Sequence, residues 1–112
     1  METYPIILLA NEPGAYRSLL ATELPLLRPN LRVVEIQPAD VDEAISSYRP
    51  TLVLSSRPVA IPHGQEIAML VLYPDGDDTF LHSFNGAETA VRQPRLADIL
   101  DVIDRIVAAA SA

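Results

Sequence analysis

Short runs of consecutive apolar residues alternate with stretches of helical periodicity through the first half of the chain. The run Ile6-Ile7-Leu8-Leu9-Ala10 turns polar at Asn11-Glu12 and is broken by Pro13-Gly14. A continuous apolar run bounded by turn residues predicts a strand buried on both faces, here over 5–10. A helix follows from about Gly14 and Ala15, with Tyr16, Leu19, Leu20, Leu24 and Leu27 as its stripe, and Pro25 is expected to end or kink it. Arg28-Pro29-Asn30 reads as a turn into a second strand over 31–36, which contains the β-branched pair Val33 and Val34. Asp40 and Glu43 fit a capping box for a second helix that buries Val41, Ala44, Ile45 and Tyr48 and stops at Pro50. A third strand over 51–54 completes βαβαβ, the pattern of parallel strands joined by crossovers.

After Pro58 the rhythm changes. Residues 59–66 contain Pro62 and Gly64 and are too broken for a crossover helix, whereas 67–72 is another apolar strand. Pro74-Asp75-Gly76-Asp77-Asp78 is an acidic turn. Residues 80–84 and 87–91 flank Asn85-Gly86, the strongest two-residue hairpin signal. That register sets Phe84 opposite Ala87, His82 opposite Thr89 and Phe80 opposite Val91; a helix over 79–84 is the less favoured alternative. Gln93-Pro94 opens a last helix with the stripe Leu96, Ile99, Leu100, Ile103, Ile106 and Val107. Asp98, Asp101 and Asp104 fall on its wet side, Asp101 is placed to pair with Arg105, and 108–112 should fray. No internal repeat or linker divides the chain, so residues 1–112 read as a single α/β domain with a parallel βαβαβ start, a β-hairpin in the second half and a C-terminal helix.

Composition narrows the function classes. With 49% hydrophobic and 21% charged residues in 112, the chain is globular rather than disordered. A net charge of −7 with scattered basic residues argues against nucleic acid. The absence of cysteine removes disulfides, thiolate catalysis and zinc–thiolate sites. No apolar run reaches the length of a membrane span, and Met1-Glu2-Thr3-Tyr4-Pro5 lacks the features of a signal peptide, so a cytoplasmic location and no membrane partner are expected.

Candidate chemistry concentrates where strands end. Asn11 and Glu12 lie just past the carboxyl end of the central strand, the usual ligand crevice of such sheets; the plainer and preferred reading is that they cap the first helix and solvate a strand end. Ser55-Ser56-Arg57-Pro58 could bind an anion through hydroxyls and a guanidinium, although an ordinary turn is preferred. His63 and His82 are isolated and read as a loop histidine and a cross-strand histidine. No nucleophile elbow surrounds Ser55 or Ser56. Asp75, Asp77 and Asp78 lack the later ligands of a calcium loop, so a solvated turn is expected.

Several strings resemble the receiver domain of bacterial response regulators. Residues 7–14, followed by Arg17 and Leu20, are similar to that family's first strand, acidic pair and first helix. Arg49-Pro50-Thr51-Leu52-Val53-Leu54-Ser55-Ser56 is similar to its third strand, and Gln93-Pro94 with the helix beyond resembles the end of its fifth strand and last helix. The resemblance covers residues 5–56, and more loosely 91–107. It implies a three-layer, receiver-like (flavodoxin-like) fold and the chemistry of phosphoryl transfer to an aspartate beside Mg²⁺. Each implied site position departs from the pattern. Asn11 replaces the first acid, Glu12 alone keeps a charge, and Ser56 stands at the acceptor aspartate. Tyr73 falls near the hydroxyl position and Gln93 at the lysine. The interval from Ser56 to Tyr73 is also too short for the family's third helix. One carboxylate makes a poor Mg²⁺ site, and serine without an adjacent base is a weak nucleophile.

The expectation is therefore a pseudo-receiver that is not an enzyme, needs no cofactor or metal, and works through a protein partner, a second copy of the chain among the candidates. Its candidate degenerate pocket is Asn11, Glu12, Ser56, Arg57, Tyr73 and Gln93; the alternative is a small-ligand-binding module whose strand-end crevice is lined by the first five of these.

Overall fold

The computed structural model describes residues 4–57, 59–61, 67–72, 79–84, 87–92 and 95–110. The strands are β1 (Ile6–Ala10), β2 (Arg32–Glu35), β3 (Leu52–Ser55), β4 (Ala68–Leu72), β5 (Thr79–Phe84) and β6 (Ala87–Arg92). The helices are α1 (Gly14–Leu27), α2 (Val41–Tyr48) and α3 (Leu96–Ala110), and a 3₁₀ turn over Pro38–Asp40 leads into α2. One sheet holds all six strands in the order β2-β1-β3-β4-β5-β6. β1 pairs in parallel with β2 and β3, and β3 with β4, whereas β5 and β6 continue the sheet antiparallel. The expected hairpin register is observed, with Phe84 opposite Ala87, His82 opposite Thr89 and Phe80 opposite Val91.

Alternation along the parallel strands divides the core into two layers. Ile7, Leu9, Leu52, Leu54, Leu70 and Leu72 face α1 and α3, where Leu20, Leu24, Ile99, Val102, Ile103 and Ile106 cover them. Leu8 and Val53 face Ala44 and Ile45 of α2, with Val41 and Tyr48 packed alongside as expected. Residues on both faces of β1 and β3 are fully buried, which is why these strands read as unbroken apolar runs. Among its described residues the β3–β4 connection carries no helix; Val59, Ile61 and Ile67 instead pack onto the α2 layer.

Several local expectations need correction. α1 does not end at Pro25 but runs on to Leu27. Proline there sits in the last turn, where it forfeits a single helical bond, and Arg28 N–H still closes on Leu24 C=O at 2.8 Å. Leu19 is 52% exposed and Leu27 40% exposed, so neither belongs to the buried stripe. That stripe is centred on Leu20 and Leu24, and Leu19 lies about 100° around the helix from Leu20. Asp40 makes no side-chain cap bond, because the 3₁₀ turn carries the chain into α2 and displaces the capping box. The first four strands each begin one residue later than expected, the second ends at Glu35 and the third extends to Ser55. In α3, Val102 is buried while Leu96 is 37% exposed, and the helix is intact to Ala110 rather than frayed from 108. Arg95, before the first turn of α3, donates its N–H to Asp98 Oδ2 at 2.8 Å, so Asp98 caps the helix as well as lining its wet side. Among the described residues no helix is long and apolar enough to cross a membrane.

Candidate functional site

The strand order reverses at β1: the chain leaves β1 for β2 on one side and later leaves β3 for β4 on the other. The carboxyl ends of β1 and β3 therefore border the crevice expected at such a switch point. Register places Ala10 beside Ser55, so the next residues, Asn11-Glu12 and Ser56-Arg57, emerge together. Ser56 joins the two strand ends. Its hydroxyl accepts the Glu12 N–H at 2.8 Å and donates to the Glu12 C=O at 3.2 Å. Ser55, buried at the end of β3, donates its hydroxyl to the Arg57 C=O and so folds the chain sharply at the crevice lip.

A cleft of about 460 Å³ opens beside this junction on the α2 side. Ala10, Glu12, Ser55, Ser56 and Arg57 form one wall; Pro38, Ala39, Val41 and Asp42 form the opposite one, with Val59 and Ala60 completing it. Its charges are mixed. Glu12 and Asp42 bring two carboxylates and Arg57 one guanidinium, so the cleft does not favour a multiply charged anion. The amino end of α2 adds little positive potential, because Asp42 and Glu43 stand in its first turn.

Asn11 sits elsewhere than the sequence suggests. It is wholly buried, is absent from the cleft wall, and neither its Oδ1 nor its Nδ2 has a hydrogen-bond partner among the described residues. It therefore does not cap α1, whose N-cap is Pro13 without a side-chain bond. What fixes this corner is Arg17, a buried guanidinium on the first turns of α1. Its Nη1 donates to the Asn11 C=O at 3.2 Å and its Nε to Glu35 Oε2 at 3.1 Å, and the Ser18 hydroxyl donates to the same oxygen at 2.9 Å. The head of α1 is thus tied to the ends of β1 and β2.

Of the sequence-derived set, Glu12, Ser56 and Arg57 converge on the cleft, Asn11 is buried and not part of its wall, and Tyr73 and Gln93 lie outside the described residues. So do His63, the aspartates at 75, 77 and 78, and Asn85-Gly86. Among the described residues no three His, Asp or Glu side chains gather as metal ligands. Sequence reasoning missed the wall from Pro38 to Asp42. Its signal was available, since the loop leaving a neighbouring parallel strand must open on the same crevice. It also missed the buried role of Arg17, which shares the helical spacing of Leu20 and Leu24.

No protein-family model, curated protein or solved structure matches the chain.

Proposed function

We propose that the chain is a degenerate receiver-like (flavodoxin-like) domain that acts through protein–protein contacts in signalling and does not accept a phosphoryl group. The observation that carries this reading is the double hydrogen bond between Ser56 and the Glu12 backbone. Ser56 stands where the resemblance puts the phosphoacceptor, and its hydroxyl has its proton committed to one backbone carbonyl and a lone pair to one backbone N–H. A hydroxyl used in this way joins strands; activation would require a base to take its proton. Asn11, where the family has an acid, is a buried neutral amide and supplies no charge for Mg²⁺. The parallel order β2-β1-β3-β4 with helices on both faces is compatible with the fold that this reading needs. Treated with acetyl phosphate and Mg²⁺, the protein should keep its intact mass; a phosphoryl adduct on Ser56 would overturn the proposal.

The cleft favours a second reading, a small-ligand module. A thermal-shift screen with nucleotides, flavins and phosphorylated metabolites tests it. A saturable rise in Tm that is lost in Arg57→Ala would support this reading, and no response to any compound would count against it.

A further inference from the structure

Among the described residues the sheet ends on β6, whose outer edge has no neighbouring strand. Native proteins blunt such edges with short strands, bulges, proline or lysine. β6 has six residues, Ala87-Glu88-Thr89-Ala90-Val91-Arg92, with no proline or lysine, and pairs with β5 without interruption along its whole length. The opposite edge differs. β2 has four residues, and its terminal charges are occupied, Arg32 over the Tyr48 ring and Glu35 with Arg17 and Ser18.

The register specifies which backbone groups β6 offers. Only two residues separate the paired Phe84 and Ala87, so this pair exchanges hydrogen bonds across the turn. Bonded and non-bonded pairs then alternate. Thr89 and Val91 join Ala87 in directing N–H and C=O toward β5, while Glu88, Ala90 and Arg92 direct theirs outward. A second copy can pair antiparallel with this edge only in registers that match outward residues with outward residues. The register that uses all three centres Ala90 on the two-fold axis. In it, Glu88 comes opposite the partner's Arg92, and Arg92 opposite the partner's Glu88. The sequence of the edge is complementary in charge to itself about its own midpoint.

We propose that β6 is a homodimerisation edge that joins two copies antiparallel about Ala90, extending one sheet through both. This interface rests on the sheet edge and is independent of the strand-end reading. Opposite-charge pairs directly across strands stabilise, and like charges destabilise by a similar amount. Analytical ultracentrifugation should show a monomer–dimer equilibrium for the wild type. Glu88→Arg and Arg92→Glu should each weaken it by about tenfold or more, because two attractive pairs become two repulsive ones. An equimolar mixture of these two variants should associate one-to-one, and the double swap within one chain should restore self-association. Ala90→Pro removes an outward N–H without touching the bonds to β5, and should abolish the dimer while circular dichroism stays native. A wild type that remains monomeric at all concentrations overturns the proposal, as does a dimer indifferent to the charge reversals. Should the proline variant fail to fold, the mixing experiment decides alone.

Discussion

At the scale of single residues, the corner where α1 meets the sheet combines a buried polar side chain without partners among the described residues and a buried charge with several. Arg17 is 7% exposed and links three segments through hydrogen bonds to the Asn11 C=O and the Glu35 carboxylate. Bonds to charged groups are each worth about 1.5–3 kcal/mol. The Glu35 side chain is 35% exposed, so solvent recovers part of its share. Arg17→Met should therefore cost about 2–3 kcal/mol in urea unfolding. Asn11 is the reverse case. Both amide atoms are buried without a partner among the described residues, and such a group costs about 1–3 kcal/mol relative to an apolar side chain of similar size. Asn11→Leu should leave stability unchanged or raise it. A loss above about 1 kcal/mol in the same assay would show that the amide is hydrogen-bonded in solution.

At the scale of elements, two helix ends make separable predictions. α2 stops on Arg49, held in the left-handed region at φ 48°, with its N–H on the Ile45 C=O at 3.0 Å. A side chain there costs about 1 kcal/mol that glycine avoids, so Arg49→Gly should stabilise the fold by about that much in thermal or urea unfolding. The end of α1 is tied to α3 by Arg28, whose Nε and Nη2 each lie 2.8 Å from an oxygen of Asp104. Hydrogen bonding from that guanidinium, aided by its charge and opposed by slight burial, holds the Asp104 carboxyl below its ordinary range. The folded chain thus binds this proton more weakly than the unfolded chain does. The pair's contribution is complete above the unfolded carboxylate pKa of about 4 and is lost as pH falls through the depressed folded value. The Tm gap between wild type and Asp104→Asn should be small, because the pair is exposed, constant at neutral pH, and closed in acid. A gap that widened in acid would contradict this assignment.

These elements also show how far the sequence could be read. Apolar runs placed β1, β3 and β4 to within a residue, because burial on both faces leaves no polar position to blur them. Asn85-Gly86 fixed the hairpin register because the pairing follows from the length of the turn. Helix faces were less legible. Leu19, Leu27 and Leu96 are as apolar as their buried neighbours, and only tertiary packing decides which leucine meets the sheet. The capping box at Asp40 failed for a similar reason, since an unforeseen 3₁₀ turn changed the approach to α2. The site was half visible: Glu12, Ser56 and Arg57 met as their positions at strand ends required, whereas the Pro38–Asp42 wall depended on how that turn folded.

At the scale of the whole molecule, the sheet is parallel around β1 and antiparallel toward β6, and the two ends suit different tasks. The parallel end creates the crevice, where the Ser56 hydroxyl is bonded to the Glu12 backbone. Among the described residues, the antiparallel end offers an unpaired edge. On the proposed reading, the domain keeps a receiver-like shape and transmits by contact rather than by covalent modification. The proposed function requires that the strand-end site does not recognise a phosphoryl group with Mg²⁺. Amide NMR of the labelled protein, titrated with beryllofluoride and Mg²⁺, tests it most directly. The account predicts unshifted resonances at Asn11, Glu12 and Ser56; a saturable, Mg²⁺-dependent shift confined to those residues would contradict it.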